Sequence, residues 1–160
     1  MDSTPIIKLA LRFHSDKWLI RSLRTFVANY CEGALDDADI ASKLEVTTYE
    51  LVENAANYST DGTVALELSV NGGSLLRLRI SNRAATEQLQ ALVERFAEMK
   101  RFEDPLEYYV SLMRATALRK DGSGLGLARV MAEAGMSLGL EVHGDRVDIC
   151  AEAQLDRRQS

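Results

Sequence analysis

The sequence predicts an α/β (α+β) two-layer sandwich, in which helices cover one face of a mixed, mainly antiparallel sheet. Short segments of alternating apolar and polar residues indicate strands, and longer segments with apolar residues three and four apart indicate helices. Asn71-Gly72-Gly73 separates two alternating segments and is typical of a β-hairpin turn. The elements follow one another as strand, helix, helix, hairpin, helices and hairpin.

The first helix is predicted to begin at a cap supplied by Ser15 or Asp16 and to end at residues 32–33. Its aromatic stripe has the spacing of core residues rather than of a cofactor site: Trp18, Phe26 and Tyr30. The other helices are predicted over residues 36–58, 86–100, 105–112 and 125–136. Strands are predicted over residues 6–13, 63–70, 75–81, 138–142 and 146–151, with residues 82–85 leaving the sheet.

The composition fits one globular domain. Of the 160 residues, 46% are hydrophobic and 27% are charged; we assign residues 1–155 to a single domain and residues 156–160 to a frayed tail. The net charge of −5 argues against nucleic acid as the main partner. No apolar run approaches the ~20 residues of a membrane span, and no signal peptide is recognised. Cys31 and Cys150 are expected to be buried, reduced thiols of a cytoplasmic protein.

Residues 121–130, DGSGLGLARV, place Gly122, Gly124 and Gly126 at the start of the last predicted helix. Glycine lets backbone N–H groups approach an anion, and a helix N-terminus adds unpaired N–H groups and a positive dipole end. The segment is therefore a candidate phosphate cradle, with backbone N–H groups from Ser123 to Leu125 as donors. The alternative is a loop-to-helix junction that needs close packing.

Residues 49–59, YELVENAANYS, place Glu50 and Asn54 one helical turn apart on the same face. A carboxylate and an amide so arranged can hold a water molecule and a hydrated divalent cation. Together with the glycine segment they suggest a nucleotide site. The alternative is one solvated acid and one buried, hydrogen-bonded amide. Glu53 lies about 100° around the helix and is expected to be a surface carboxylate.

These two segments, in this order and on these elements, resemble the N-box helix and the G2 box of the GHKL ATPase superfamily, which includes gyrase, Hsp90, histidine kinases and MutL. The resemblance extends from the first strand to the last hairpin and implies the Bergerat-type ATP-binding fold. The chain length, and the N-terminal strand followed by two helices, are most similar to the small anti-sigma-factor serine kinases of bacterial partner-switching systems.

By position, the resemblance makes Glu50 the general base or water-positioning residue and Asn54 the ligand of Mg²⁺. An amide oxygen suits Mg²⁺, a hard cation that takes one or two protein oxygens in addition to water and phosphate oxygens. The candidates for ATP binding are Asn54, Asn57, Asn82, Ala84, Gly122, Ser123, Gly124, Leu125 and Gly126.

The G1 box of the superfamily, Asp-any-Gly, corresponds here to Asn82-Arg83-Ala84. Asn82 replaces the Asp that accepts the adenine amino group, and its amide oxygen can still accept that hydrogen bond. Ala84 adds a methyl group where the glycine backbone lets the base approach, and Arg83 brings a charge that could reach phosphate or a carboxylate. A divergent bacterial subgroup that includes the SiaB-type protein kinases is similar in replacing this box. Asn82 is equally well interpreted as a turn residue at the strand end.

The resemblance implies a protein serine/threonine kinase that binds Mg-ATP, forms a homodimer and phosphorylates a small regulatory protein of antagonist or sigma-factor type. A catalytically inactive module of the same fold, acting by protein binding, is the alternative suggested by the changed G1 box. ATP hydrolysis coupled to a dimer clamp is disfavoured, because the chain is too short to carry the transducer domain of larger members.

The remaining candidates are weaker. Three cations before the glycines either meet a γ-phosphate or are solvated: Arg114, Arg119 and Lys120. His14 and His143 are expected to be structural or exposed rather than catalytic. Tyr108 and Tyr109 either pack the segment before the glycines or contact a partner.

Overall fold

The computed structural model describes residues 8–71, 74–116 and 125–155. Its strands are β1 (Lys8–His14), β2 (Thr63–Asn71), β3 (Leu75–Arg83), β4 (Ser137–His143) and β5 (Arg146–Gln154). Its helices are α1 (Lys17–Leu35), α2 (Ala38–Tyr58), α3 (Thr86–Met99), α4 (Pro105–Thr116) and α5 (Leu125–Glu133). None of these helices combines the length and the apolar character of a membrane span.

The strands form one sheet in the order β1-β2-β3-β5-β4. Every pairing between the described strands is antiparallel, so the sheet is antiparallel rather than mixed. The predicted two-layer sandwich of helices on a sheet is confirmed. The two helices between β1 and β2 explain the direction of that pair, because α1 leads away from the end of β1 and α2 returns to it. There, the N–H of Ser15 donates to the carbonyl oxygen of Gly62 at 2.8 Å.

The sheet buries one face and leaves the other polar. Alternate apolar side chains of β3 lie in the core beneath the helices: Leu76, Leu78 and Ile80. The intervening Arg77 and Arg79 lie on the opposite face, where they pair with Glu152 at 3.3 Å and Glu67 at 3.4 Å. The helices therefore cover a single face, as predicted.

The buried face of α1 differs from the predicted one. Trp18 and Phe26 are 67% and 48% exposed, so the prediction that they are core residues is wrong. Tyr30 is partly buried and stacks on Phe26, with ring centroids 6.3 Å apart. The core side of the helix is aliphatic instead: Ile20, Leu23, Val27, Ala28 and Cys31. Both stripes have helical spacing, and only packing against α2 and the sheet selects between them.

The end of α1 also differs from the prediction. The helix passes through Gly33 and ends at Leu35, and Asp36 follows it in a left-handed conformation with φ of 53°. The N–H of Asp36 donates to the carbonyl oxygen of Glu32 at 2.8 Å. A glycine inside a helix costs about 1 kcal/mol, which packing overcomes, whereas a left-handed residue ends the helix outright.

The ends of β3 and α5 also differ from the prediction. Strand β3 extends to Arg83, so Asn82 does not leave the sheet, because β5 continues the pairing and places Val147 opposite it. Helix α5 ends at Glu133 instead of residue 136, since Gly135 adopts a left-handed φ of 65°.

The two thiols are free and buried, as predicted. Burial raises the pKa of the Cys31 thiol to about 11, with a smaller contribution from the charge of Asp37. The thiol is therefore protonated at neutral pH and unreactive. The expected tail, residues 156–160, lies outside the described residues, and the assignment of residues 1–155 to one domain stays a prediction.

Helix α2 begins at a side-chain cap that can be tested. Oδ1 of Asp37 accepts hydrogen bonds from the backbone N–H groups of Asp39 and Ile40, both at 3.1 Å. Asp16 has the same position at α1 but makes no side-chain cap bond. We expect Asp37→Ala to cost about 1 kcal/mol of stability, and Asp16→Ala to cost distinctly less, as measured by urea denaturation. Equal losses would contradict the cap assignment.

Candidate functional site

The candidate site forms where α5 packs against α2, because this contact brings together two of the residues singled out in the sequence. Gly126, in the first turn of α5, lies directly against the carboxylate of Glu50 on α2. A Cβ atom at position 126 would overlap Oε2 of Glu50. The missing side chain at Gly126 therefore leaves room for the Glu50 carboxylate in its present position, which agrees with the close-packing alternative for this residue.

Arg129 completes this junction from the next turn of α5. Its Nη1 donates to Oε1 of Glu50 at 3.1 Å, and its Nε lies 3.8 Å from a carboxylate oxygen of Glu133. A hydrogen bond to Tyr109 of α4 contributes most to raising the pKa of the Arg129 guanidinium. The Glu50 side chain is 14% exposed and that of Arg129 is 44% exposed, so the pair joins a largely buried carboxylate to a solvated cation.

The pKa of the Glu50 carboxyl is raised above its ordinary value. Burial is the main cause, and the charges of Glu53 and Glu133 act in the same direction. The Arg129 guanidinium opposes the shift by Coulombic attraction and by its hydrogen bond, without cancelling it. A carboxylate whose pKa is shifted toward neutrality is better suited to accepting a proton than a solvated one.

The asparagines of α2 continue from Glu50 along the helix. Asn54 is half-buried, and Asn57 is exposed. Asn57 helps to line a cavity of about 390 Å³ between α2 and the start of α1, with Lys17, Arg21 and Tyr49 among the other lining residues. Glu50 does not line this cavity, so the cavity lies beside the candidate site.

Glu53 also lines that cavity and is more than a surface carboxylate. It is half-buried and accepts a hydrogen bond from Tyr49, which is the main cause of a raised pKa of that phenol. The guanidinium of Arg24 lies over the Tyr49 ring, 5.2 Å from its centroid. The expectation that Glu53 is a surface carboxylate was incomplete. It considered only the direction of the side chain around α2 and not the residues of α1 that line the same cavity.

The residues of the changed G1 box lie at the end of β3. Asn82 is 7% exposed, and its Nδ2 donates to the carbonyl oxygen of Arg83 at 3.1 Å. Ala84 is buried, and its N–H donates to the carbonyl oxygen of Asp145 at 2.8 Å. Arg83 reaches a carboxylate, that of Asp145, at 3.2 Å. Asn82 is thus a buried strand residue and not a turn residue.

The glycine-rich loop itself lies outside the described ranges. Gly122, Ser123 and Gly124 belong to this part of the chain, as do Arg119 and Lys120. Leu125 is the first residue of α5 and is half-buried. Arg114, in the last turn of α4, is exposed. The phosphate-binding role of the loop stays a prediction.

Arg129 and Tyr109 were not assigned to the site from the sequence. A signal for Arg129 exists, because it follows Gly126 by three residues and so shares its helix face. Tyr109 gave no comparable signal, since its contact with Arg129 joins two helices. Tyr108 was expected either to pack the segment before the glycines or to contact a partner. It is buried and packs against Phe102, with ring centroids 5.3 Å apart.

Comparison with known proteins supports the fold. No protein-family model matches the sequence, and no curated protein matches it. A chain in the crystal structure of the SiaB–SiaC complex from Pseudomonas aeruginosa superposes on 95% of this chain, and the match covers 92% of that chain. The TM-score is 0.64 at 16% sequence identity, which shows a shared fold.

The raised pKa of Glu50 predicts a pH-dependent cost to stability. A carboxyl whose pKa is higher in the folded state than in the unfolded state favours folding at low pH and loses that contribution as the pH rises through its folded pKa. We therefore expect Glu50→Gln to melt at a higher temperature than the wild type at pH 7, and the difference to vanish below about pH 4. Glu45→Gln, at an exposed site on α2, is the control and is expected to change little. A lower melting temperature of Glu50→Gln at pH 7 would show that the ion pair outweighs burial.

The contact between Gly126 and Glu50 can be measured with a double-mutant cycle. In open space, Gly→Ala inside a helix gains roughly 0.5–1 kcal/mol, and we expect this gain for Gly33→Ala, where a Cβ would meet nothing within 4 Å. Gly126→Ala should give no such gain, because its Cβ displaces the Glu50 carboxylate. In a Glu50→Ala background the gain should return, as measured by urea denaturation. Equal effects of Gly126→Ala in both backgrounds would contradict the contact.

Proposed function

We propose that this protein is an ATP-dependent protein serine/threonine kinase of the partner-switching type. The observation that supports it most is the largely buried Glu50 carboxylate with its raised pKa, held between the helix that resembles an N-box and the helix that follows the glycine-rich segment. An isolated helix-face carboxylate would be solvated and would have an ordinary pKa. The resemblance in sequence and the shared fold with a chain of a two-protein complex agree with this proposal.

In this mechanism, Glu50 accepts the proton of a serine or threonine hydroxyl on the protein substrate. The hydroxyl oxygen forms a bond to the γ-phosphorus of ATP while the bond from that phosphorus to the ADP oxygen breaks, so the phosphoryl group moves and ADP leaves. Arg129 orients the Glu50 carboxylate through its hydrogen bond of 3.1 Å. Backbone N–H groups from Ser123 to Leu125 would hold the phosphates, as expected from the sequence.

The donor set on α2 suits magnesium. Asn54 is half-buried, one turn from Glu50, and its side chain offers a neutral amide oxygen. A bound Mg²⁺ would supply positive charge that offsets the negative charge of the phosphates. Asn82 would accept the adenine amino group in place of the carboxylate of the superfamily, and Asn57 and Ala84 would lie beside the nucleotide. The reduced, buried thiols suit a cytoplasmic protein, and the resemblance implies a homodimer.

A second function is favoured by two observations. Nδ2 of Asn82 is bonded to the adjacent carbonyl oxygen and Ala84 is buried, which leaves the changed G1 box less open to a base than a glycine-containing one. In addition, Trp18 and Phe26 expose aromatic surface two turns apart on α1, and such surface is typical of protein interfaces. A non-catalytic module that binds a regulatory protein would need only these features.

Nucleotide binding distinguishes the two functions. The measurement is calorimetry with ATP, ADP and GTP, with and without Mg²⁺, on the wild type, Asn54→Ala and Glu50→Ala. The kinase predicts Mg²⁺-dependent ATP binding that weakens in Asn54→Ala and persists in Glu50→Ala. At a hundred times the dissociation constant, ATP should also stabilise the wild type by about 2.7 kcal/mol.

Turnover then tests the role of Glu50. With water as the acceptor, single-turnover ATP hydrolysis should be lost in Glu50→Ala and retained in Glu45→Ala, which changes an exposed glutamate on the same helix. Retained hydrolysis in Glu50→Ala would remove Glu50 from the mechanism. The absence of binding at millimolar nucleotide would reject the kinase and favour the binding module.

A further inference from the structure

A separate group of side chains lies on the polar face of the sheet, in the hairpin formed by β4 and β5. Glu141 and His143 are two residues apart on β4 and therefore point to the same face. Asp148 on β5 is directly opposite Glu141 in the strand register. One ligand atom from each of these three residues lies within 4.8 Å of the other two. We call this group the hairpin triad.

The distances from His143 to the two carboxylates are close to those between ligands of one metal ion. Nε2 of His143 lies 3.3 Å from Oε2 of Glu141 and 3.8 Å from Oδ2 of Asp148. Around a tetrahedral zinc ion with ligand distances of about 2.0–2.2 Å, neighbouring ligand atoms stand roughly 3.3–3.6 Å apart. The two distances from His143 are close to this spacing, and all three ligand atoms lie within 4.8 Å of one another, so rotation of the side chains could bring them around one ion.

Asp148 supplies a second, independent indication of a ligand. Its side chain is 3% exposed, and its Oδ1 accepts no hydrogen bond from the described residues. A buried carboxylate oxygen without a hydrogen bond is costly. In addition, Glu141 and Asp148 place two like charges directly opposite one another across a strand pair, which destabilises a sheet unless a cation lies between them.

Among the described residues, Arg146 supplies the positive charge next to the Asp148 carboxylate. It lies opposite His143, and its Nε is 3.3 Å from Oδ1 of Asp148 without the geometry of a hydrogen bond. Its Nη2 donates to Oδ2 at 3.5 Å, which is a long bond. The arginine side chain is 55% exposed, so it can turn into solvent when another cation takes its place.

We propose that Glu141, His143 and Asp148 bind a divalent transition-metal ion of the zinc class, with Arg146 as the cation that it displaces. An imidazole nitrogen with two carboxylate oxygens suits Zn²⁺, whereas Mg²⁺ prefers oxygen ligands alone. The triad offers three ligands and leaves one coordination position open. It lies on the sheet face opposite the helices, so this site is independent of the proposed nucleotide site.

The test is calorimetric titration of Zn²⁺ into the tag-free full chain, in a weakly coordinating buffer, with Mg²⁺ in parallel. We expect one Zn²⁺ per chain and no comparable binding of Mg²⁺. His143→Ala should weaken zinc binding at least about tenfold, and Glu141→Gln should weaken it in the same direction. Arg146→Ala should tighten it, by roughly up to fivefold if the displaced pair is typical of partly exposed ion pairs.

The chain contains a matched control. It has two histidines, and His14 is exposed on β1, at the opposite edge of the sheet. His14→Ala should leave zinc binding unchanged. Zinc binding that survives His143→Ala, that is lost in His14→Ala, or that fails to reach one ion per chain in the wild type would overturn the proposal. His143 is exposed, so its replacement leaves the core intact, which circular dichroism of each variant verifies.

Discussion

The burial of one side of α2 is the constraint on which the candidate site depends. Leu51, Val52 and Ala55 are almost fully buried and join the core beneath the helices. Residues on an α-helix keep fixed angles to one another, so burying this side also fixes the direction of Glu50 and Asn54. The position of the candidate base therefore follows from hydrophobic packing, and the missing side chain of Gly126 leaves room for its carboxylate beneath α5.

The elements that the sequence predicted well are those whose signals are local. The turn residues of the two hairpins lie within a few residues of the strands that they join. The errors arose where residues distant in the sequence determine which side of a helix is buried or where a strand ends. Trp18 has the spacing of a core residue, but α2 and the sheet accept the aliphatic stripe of α1 instead. Asn82 stays in the sheet because β5, more than sixty residues later in the chain, pairs with it.

The same distinction applies to the candidate site. The patterns of residues 49–59 and 121–130 each singled out one member of a pair that lies in contact in the structure, Glu50 and Gly126, and the nucleotide-binding role of the two segments stays a prediction. The ion pair with Arg129 and the raised pKa of Glu50 required the α2–α5 contact, which no local pattern describes. A carboxylate held largely out of water lowers stability at neutral pH. Such a cost is common at functional sites, where charged groups are positioned for chemistry at the expense of folding free energy.

Trp18 has a consequence for spectroscopy. It is the single tryptophan of the chain, and it is 67% exposed on α1 in the folded protein. Its emission in the native state is that of an indole largely in water, so unfolding changes it little. Intrinsic fluorescence therefore reports poorly on the core of this protein. It reports instead on the outer surface of α1, where a docked protein would move the indole into an apolar environment and shift its emission to shorter wavelength.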